Sequence, residues 1–394
     1  MNARDPDFII AMPASGPKNQ GGEEATRAQM NVELIGPEEL TPDLEQIWTR
    51  FRRSNAALSH PYFDIRFTQA ASAVPGAQVA IVYEGESICG FFPVQRRRGL
   101  YQPLAAPMSD YHGVIAPSRS KICPQQLVEL LGGTLSAGAW SGAPVPGFVP
   151  RERMAARVGG GAEALQRRLD QKNRKFWKNM ARKARRLEEE LGPARFNWND
   201  DDPAVFDWLI SAKRAQYART RRHDIFSCGW TVDLLAELKS RHADGYGLRI
   251  ASLRAASGEL LAAEASLDDG RTLHLWFPVY APAYRRFGPG MYLTWLQMLR
   301  AADDGYAEVD FGCGAGDYKS TLADVAGYAW EGTVAGEGAT VRALARLINR
   351  KGPAPLRRFG TSLKRRLDII NACEVTPAGW MTGAAAAAWA MVRS

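Results

Sequence analysis

The sequence predicts a mixed α/β fold made of two consecutive lobes, each a mixed, mostly antiparallel sheet flanked by helices. The first observation is size and composition: 394 residues, 46% hydrophobic and 23% charged, are typical of a globular protein with two domains. The second is that helix-like and strand-like hydrophobic patterns occur twice, on either side of a stretch rich in glycine, proline and alanine at 136–161. That stretch is predicted to be an inter-lobe linker.

The first lobe is expected over residues 30–135. It follows residues 1–29, whose Pro, Gly, Asn and Gln content without periodicity predicts a disordered leader. The patterns within the lobe predict a strand at 31–35, helices at 43–57 and 60–71, strands at 77–83 and 87–94, a loop-rich segment at 96–116 and a helix at 124–131.

A long basic amphipathic helix is predicted at 162–192. Between Leu165 and Leu187 there are ten Lys or Arg residues and one acid, with apolar residues at steps of three, four or seven. A second basic segment, 341–367, has nine Lys or Arg and no acid. The net charge of the whole chain is +8, and each of these two segments carries +9. The remaining residues therefore carry a net charge of −10, so the lobes are mildly acidic.

The second lobe is expected over residues 193–337. Asp202 followed by Pro203 is typical of a helix start. The patterns then predict helices to about 221 and at 232–241, strands at 248–254, 260–267 and 272–280, a helix at 291–302, a strand at 307–311, a short helix at 318–323 and a strand at 328–334.

One loop in this lobe has the pattern of an anion site. Arg285-Arg286-Phe287-Gly288-Pro289-Gly290 connects a predicted strand to a predicted helix. Free backbone N–H groups and the positive end of the helix dipole meet at such a junction, which suits a diphosphate. The candidate binding residues are Arg285, Arg286, Gly288, Gly290 and Met291. The alternative is a loop that only joins strand to helix.

Arg-x-x-Gly-x-Gly at this junction resembles the pyrophosphate loop of GNAT acyltransferases, which hold acyl-coenzyme A there. Further stretches resemble the GNAT-like family of bacterial polysaccharide-biosynthesis proteins typified by the cellulose-biosynthesis protein CelD, which is related to the Fem-type transferases. They are Phe91-Phe92-Pro93-Val94, Ser109-Asp110-Tyr111-His112, Tyr280-Ala281-Pro282-Ala283-Tyr284 and Val309-Asp310-Phe311 with Asp317-Tyr318-Lys319.

The resemblance covers roughly residues 30 to 335. It implies two tandem GNAT-like lobes and an acyltransferase that moves an acyl group, acetyl in the first instance, from acyl-CoA (acetyl-CoA) to an amine or hydroxyl. The implied acceptor is a sugar or glycan intermediate in exopolysaccharide or cell-envelope biosynthesis. Two other functions stay open: a Fem-type transfer of an aminoacyl group from tRNA, and a non-catalytic assembly factor of a polysaccharide synthase.

Acyl transfer also needs an oxyanion donor and proton removal. The resemblance to GNAT enzymes implies that the donor is a backbone N–H on the strand before the loop. Pro278 has no N–H, so Val279 is the expected donor. Glu264 and Asp310 are the candidate bases, because a carboxylate in an apolar strand is expected to have a raised pKa. The alternative for both is a structural carboxylate that caps a helix or pairs with an arginine.

Tyr318 and Lys319 match the family's Tyr-Lys pair. The resemblance implies that Tyr318 reprotonates the leaving thiolate, while Lys319 is suited to bind an anionic group. The alternative is a helix start with a solvated lysine. His274 alternates with Leu273 and Leu275 and is interpreted as a satisfied core or surface histidine rather than a base.

The five cysteines are odd in number and widely spaced, which favours a reducing compartment and a cytoplasmic location. The sequence has no spacing typical of metal ligands, so no metal is expected. It also lacks the signature of a recognised RNA-binding module, so no specific nucleic acid partner is expected. The basic helical tail at 338–394 is expected to cover the second lobe. Peripheral contact of its cationic helices with the anionic inner membrane is the open alternative.

Overall fold

The structure is a computed structural model that describes residues 30–314, 316, 318–335 and 365–392. Its strands are β1 (Met30–Ile35), β2 (Ala77–Glu84), β3 (Ser87–Arg97), β4 (Leu100–Pro103), β5 (Thr134–Trp140), β6 (Val149–Arg157), β7 (Arg195–Asn197), β8 (Gly247–Arg254), β9 (Leu260–Asp268), β10 (Thr272–Tyr280), β11 (Glu308–Cys313) and β12 (Asp324–Ala335). The helices are α1 (Pro42–Arg53), α2 (Ile65–Ala70), α3 (Pro124–Leu131), α4 (Ala162–Leu191), α5 (Pro203–Thr220), α6 (Trp230–Arg241), α7 (Pro289–Asp303), α8 (Lys319–Leu322) and α9 (Pro377–Val392).

All twelve strands join in one mixed sheet, in the order β1-β2-β3-β4-β5-β12-β6-β11-β10-β9-β8-β7. The predicted fold class, mixed α/β with mostly antiparallel strands flanked by helices, is confirmed. Strand β12, which comes late in the chain, pairs with β5 on one side and with β6 on the other. The two halves of the chain therefore share hydrogen bonds in the middle of the sheet.

The linker predicted at 136–161 is wrong as a description of local structure, because the segment contains most of β5 and all of β6. Small residues misled the prediction: Ala137 and Ala139 are buried strand residues rather than linker residues. These residues belong to β5, which pairs with β12 far along the chain. No pattern within 136–161 predicts that pairing. The loop-rich segment at 96–116 likewise contains the short strand β4.

Helix α4 spans the predicted basic helix but is interrupted at Asn173, where the backbone leaves helical geometry (φ −156°, ψ 73°). The Asn173 side-chain oxygen accepts a hydrogen bond from the N–H of Phe176 at 3.1 Å, so it caps the second half of the helix. The apolar seam of α4 is buried at Leu165, Leu169, Trp177, Met180 and Leu187. The helix packs on α7 and on the face of the sheet that α7 covers.

Helices α5 and α6 cover the opposite face of the second half of the sheet, in one apolar cluster with residues of α1 and α2. The start of α5 is as predicted: the Asp202 carboxylate accepts the N–H of Ala204 at 2.9 Å, and Pro203 occupies the first helical position. The site described below lies between these two helical layers.

The described part of the tail packs on the protein. Residues 365–373 are helical, and Ile370 and Cys373 are fully buried. The carbonyl oxygen of Asp368 accepts a hydrogen bond from Gln102 at 3.1 Å, and Arg98 donates to the carbonyl oxygen of Thr376 at 3.0 Å. The leader and most of the second basic segment lie outside the described residues. Among the residues that are described, no helix has the length and apolar character needed to cross a bilayer.

Candidate functional site

A cleft opens between β10 and β11. The two strands are parallel neighbours over only three residue pairs, from Thr272–Glu308 to His274–Asp310. Beyond His274, β10 contains a bulge between Leu275 and Phe277 and continues beside β9 alone. One edge of β10 is therefore unpaired beyond that point, and the loop that leads into α7 follows its end.

The N-terminus of α7 presents free backbone donors. Gly288 adopts a left-handed conformation (φ 67°) and donates its own N–H to the carbonyl of Arg285. The Tyr292 N–H already bonds to the carbonyl of Gly288, and Pro289 has no N–H. Gly290 and Met291 therefore carry the unused first-turn N–H groups, where the helix dipole favours an anion.

The predicted coenzyme-binding residues thus lie around one helix end. Arg285 and Arg286 are exposed, and Arg286 donates to Glu190 of α4 at 2.5 Å while its guanidinium lies over the ring of Phe287. A Cβ atom built on Gly290 would lie 3.4 Å from the ring of Tyr280, so there is little space beside this glycine.

The structure corrects the expected role of Val279. The Ala281 N–H donates to the carbonyl of Leu261 on β9, and the register pairs Val279 with Ala263. Alternation along an antiparallel strand then directs the Val279 N–H to β9 as well, away from the open edge. The N–H of Tyr280 points to the open edge instead. Pro278 also faces that edge, and its carbonyl oxygen accepts a hydrogen bond from the ammonium group of Lys213 at 3.1 Å.

Glu264 lies on β9 opposite Pro278 and is 1% exposed. Burial raises the pKa of its carboxyl group to about 7, even though Gln297 and Thr294 of α7 donate to it at 3.2 and 3.3 Å and Lys213 lies close enough to lower it. A carboxyl group with this pKa is suited to accept a proton near neutral pH. It lies one strand behind the open edge.

Asp310 is fully buried and its oxygens are occupied by donors. Tyr111 OH donates to both oxygens at 3.0 and 3.1 Å, the Gly312 N–H donates at 2.8 Å and Arg153 donates at 2.8 Å. Burial opposes ionisation, but the contacts with His274 and His60 hold the pKa of Asp310 well below its usual value. Such a carboxylate is a poor base, and its environment matches the structural alternative. These donors would compete with any metal ion shared with His60 and His274 for the oxygens of Asp310.

His274 is a core histidine with a partner for each ring nitrogen, as the sequence analysis interpreted it, but the identity of those partners was not predicted. Its ring is fully buried between two carboxylates, with Nδ1 2.8 Å from Asp310 and Nε2 3.1 Å from Asp110. Burial would lower the pKa of His274, but the hydrogen bonds with Asp110 and Asp310 outweigh it and raise the pKa to about 9. The Asp110 side chain is 41% exposed, and one of its oxygens lies 3.2 Å from a Cβ built on Gly312, where β11 leaves β10. The only signal in the sequence was an imidazole in a strongly apolar strand, which needs buried partners.

Tyr318 and Lys319 lie at the start of α8. The Tyr318 side chain is 46% exposed, and burial of its ring followed by the charge of Glu264 raises the pKa of its phenol. Burial lowers the pKa of Lys319, although the charges of Asp110 and Asp310 oppose this. Both residues are thus electrostatically linked to the carboxylates of the cleft.

A cavity of about 770 Å³ adjoins the Asp310 network on the side of the first half of the chain. His60, Tyr111 and Arg153, which contact Asp310, line it together with residues from both halves. The lining combines aromatic rings with polar groups: Trp140, Tyr328, Asn55, Ser118, Ser120, Lys121, Ser141 and Glu308. The cavity is large enough for a small polar molecule.

Comparison with known proteins gives the fold a family context. Residues 174–320 match the family model described as an acetyltransferase (GNAT) domain. No curated protein sequence matches the chain. The structure of FemX is 11% identical with a TM-score of 0.51, and the match covers 81% of this chain and 100% of FemX.

Two other solved structures are similar at lower scores. A tandem GNAT protein from the clavulanic acid biosynthesis pathway is 10% identical, with 79% of this chain and 100% of that chain covered and a TM-score of 0.45. L-PGS from Bacillus licheniformis is 11% identical, with 82% and 89% covered and a TM-score of 0.40. Residues 174–320 are thus similar to a GNAT-type acetyltransferase domain. The CelD-type resemblance stays a prediction.

Proposed function

We propose that the protein is an acyltransferase that binds acyl-CoA at the N-terminus of α7 and in the cleft between β10 and β11. The observation that carries this proposal is the unpaired edge of β10, which runs to a helix end with two unused N–H donors, at Gly290 and Met291. The diphosphate would accept these two hydrogen bonds, with Arg285 and Arg286 adding positive charge. The match of residues 174–320 to the GNAT domain supports the same site.

The acceptor would enter from the cavity that both halves line. Aromatic rings beside hydroxyl, amide and charged side chains suit a sugar ring with several hydroxyl groups, so a sugar or glycan acceptor is our first candidate. Its amine or hydroxyl attacks the thioester carbonyl, a C–N or C–O bond forms, and the C–S bond to coenzyme A breaks.

The charges that develop in this step have candidate partners. The N–H of Tyr280 and the ammonium of Lys213 lie at the open edge and are suited to stabilise the oxyanion. Glu264 takes the proton of the attacking group through an intervening water, since its carboxyl is buried behind Pro278. Tyr318 gives its proton to the thiolate, a role that its raised phenol pKa allows because the group stays protonated at neutral pH.

Asp310 does not act as a base in this scheme. It holds the ring of His274, which in turn holds the exposed carboxylate of Asp110 at the point where the strands separate. Lys319 lies within electrostatic range of Asp110 and would bind an anionic part of either substrate.

Fem-type transfer from aminoacyl-tRNA is the second candidate, and one observation favours it. The outer face of α4 exposes a series of cations that would attract a phosphate backbone: Arg174, Lys175, Lys178, Arg182, Arg185 and Arg186. Binding of acetyl-CoA in the absence of tRNA distinguishes the first candidate from this one.

Gly290→Val tests the coenzyme site. The new side chain would lie against Tyr280 and over the N–H groups that the diphosphate needs. A charge-assisted hydrogen bond contributes about 1.5–3 kcal/mol, so we expect a loss of acetyl-CoA affinity of roughly 10- to 100-fold, measured by isothermal titration calorimetry.

Gly159→Val is the matched control, because a Cβ on Gly159 meets nothing within 4 Å and the residue lies in the turn after β6. It should bind acetyl-CoA as the parent does. Equal affinity of the folded Gly290→Val protein and the parent would place the coenzyme elsewhere.

A further inference from the structure

Three side chains with soft or borderline donor atoms converge away from the cleft. His223 and Cys228 lie just before α6, and Cys373 lies at the end of the helical segment 365–373. A ring nitrogen of His223 and the two sulfur atoms all lie within 4.8 Å of one another. The carboxylate of Glu374 lies 3.2 Å from Nε2 of His223.

We propose that His223, Cys228, Cys373 and Glu374 form a structural site for a divalent transition metal, with Zn²⁺ as the first candidate. Two sulfur atoms, one imidazole and one carboxylate oxygen are ligands that Zn²⁺ takes in proteins, and four protein ligands make a closed, structural site. The bond lengths of a tetrahedral zinc ion, about 2.0–2.3 Å, hold the ligand atoms about 3.3–3.8 Å apart. The separations among the His223 nitrogen and the two sulfur atoms, at most 4.8 Å, require inward movements of about 1 Å or less. The Glu374 carboxylate, which lies 3.2 Å from Nε2 of His223, would have to turn toward the sulfur atoms to complete the set.

The surroundings of His223 agree with a missing partner. Its Nε2 atom is buried and lies 3.2 Å from the Glu374 carboxylate without the geometry of a hydrogen bond, and the Cys228 thiol is the other polar group beside the ring. A buried polar atom without a hydrogen bond is costly, and coordination to a metal would remove that cost.

The backbone around Cys373 is held in place without the metal. Trp230 donates its indole N–H to the carbonyl oxygen of Cys373 at 3.0 Å. A Cβ built on Gly383 of α9 would lie 3.4 Å from the His223 ring, so α9 packs close against it. The donor groups are therefore brought together by tertiary packing on both sides.

The charge of the site balances. Arg97 is 7% exposed, its guanidinium lies over the Trp230 ring at 5.0 Å, and it is within electrostatic range of both cysteines. Two thiolates and a carboxylate contribute −3, while a divalent ion and Arg97 contribute +3. A neutral buried cluster costs far less than an unbalanced one.

Such an ion would fasten the C-terminal segment to the second half of the chain. Cys228 and Cys373 are far apart in sequence, and an ion bound only by the folded protein would stabilise the folded state by its binding free energy. The site would be structural and separate from the proposed acyl-transfer cleft, so it does not depend on that function.

Metal analysis of the full-length protein, purified without chelator from zinc-supplemented cells, tests the proposal. We expect about one Zn²⁺ per chain by inductively coupled plasma mass spectrometry, and a loss of at least tenfold in Cys228→Ser and Cys373→Ser. Cys89→Ser is the control, because Cys89 donates to the carbonyl of Val82 on a distant strand; it should keep the metal.

Cobalt replacement gives a readout that does not need the variants to fold. Metal-depleted parent protein titrated with Co²⁺ should develop the thiolate charge-transfer and intense d–d bands of a tetrahedral site, at one equivalent. Three results would overturn the proposal: a parent with neither zinc nor these bands, equal metal in the Cys228→Ser protein and the parent, or a Cys228–Cys373 disulfide in non-reducing peptide maps.

Discussion

Two carboxylates hold the ring of His274 from opposite sides, and this arrangement sets its charge. Asp310 is buried and saturated with donors, while Asp110 is partly exposed. The imidazolium between them therefore connects the buried hydrogen-bond network of Asp310 to the Asp110 carboxylate, which lies where the strands separate. This makes His274 a positioning residue for Asp110.

His274 should make stability depend on pH. Its folded pKa of about 9 is above the unfolded value of about 6.5, so its contribution is complete below pH 6.5 and is lost as the pH rises through 9. The difference in unfolding free energy between the parent and His274→Gln should fall by about 3 kcal/mol over that range, measured by urea denaturation at several pH values.

His112→Gln is the matched control for this experiment. Burial lowers the pKa of His112 to about 4, so the residue stays neutral between pH 6.5 and 9 and its difference from the parent should be constant there. A constant difference for His274→Gln as well would mean that the two carboxylates do not hold an imidazolium.

Glu264 should govern the acid side of the pH–rate profile. A base with a pKa of about 7 must be ionised to accept a proton, so kcat/KM of the parent should rise with pH through about 7. Burial lowers the pKa of Lys213 to about 8, so the rate should fall again above that pH as the ammonium loses its charge. Glu264→Gln should lower turnover by about 10²–10⁴-fold and abolish this rise.

Glu237→Gln controls for the loss of a carboxylate, because Glu237 is on α6 and pairs only with Arg241 among the described contacts. Its turnover and profile should equal those of the parent. If Glu264→Gln keeps turnover within a few-fold, the proton goes to another group.

At the scale of elements, the proposed site depends on which N–H groups of β10 are left unpaired, and not only on the presence of the strand. The periodic pattern of β10 predicts a strand but not which N–H groups face the gap. That depends on the pairing of Val279 with Ala263, a contact between two strands. The bulge after Leu275 and the early end of pairing with β11 open the edge on which the proposed function rests.

Helix α4 shows the same dependence. Its basic and apolar periodicity predicts one helix, and the structure confirms the span, but the interruption at Asn173 has no glycine or proline to mark it. The side chain of Asn173 substitutes for a lost backbone bond by capping the second half. The contacts of α4 with α7 bring Glu190 to Arg286 beside the proposed diphosphate site.

At the scale of the whole molecule, the C-terminal segment connects both halves. Asp368 contacts Gln102 and Ser136 of the first half, and the carbonyl of Cys373 binds Trp230 of the second. The described tail is thus part of the folded core. Contact of the basic segment with an anionic membrane stays a prediction, because it concerns residues outside the described ones.

Ile370→Ala tests whether the tail belongs to the core. Ile370 is fully buried, and truncation of a buried isoleucine to alanine costs about 2–5 kcal/mol of unfolding free energy. Met381→Ala, at a residue 61% exposed on α9, should change it by less than about 0.5 kcal/mol. Urea unfolding followed by tryptophan fluorescence measures both. An Ile370→Ala protein as stable as the parent would show that the segment adds nothing to the core.

The sequence by itself determined the elements and the loop at which we propose the anion site. Periodicity, capping residues and turn residues are local properties, so the strands β8, β9 and β10, the helix α7 and the loop around Gly288 were predicted from short stretches. The resemblance to GNAT proteins was carried by the same short motifs.

Only the tertiary structure decided which distant residues meet. The position of β12 between β5 and β6, the pairing of His274 with Asp110 and the approach of Cys373 to Cys228 each join parts of the chain more than a hundred residues apart. Such contacts have no local signature, because closing a long loop costs nearly the same for many alternative partners and packing selects among them. The charge state of Asp310 followed from those contacts. Burial in an apolar strand without donors would raise the pKa of its carboxyl group, as expected of a base, whereas the contacts with His274 and His60 keep it ionised.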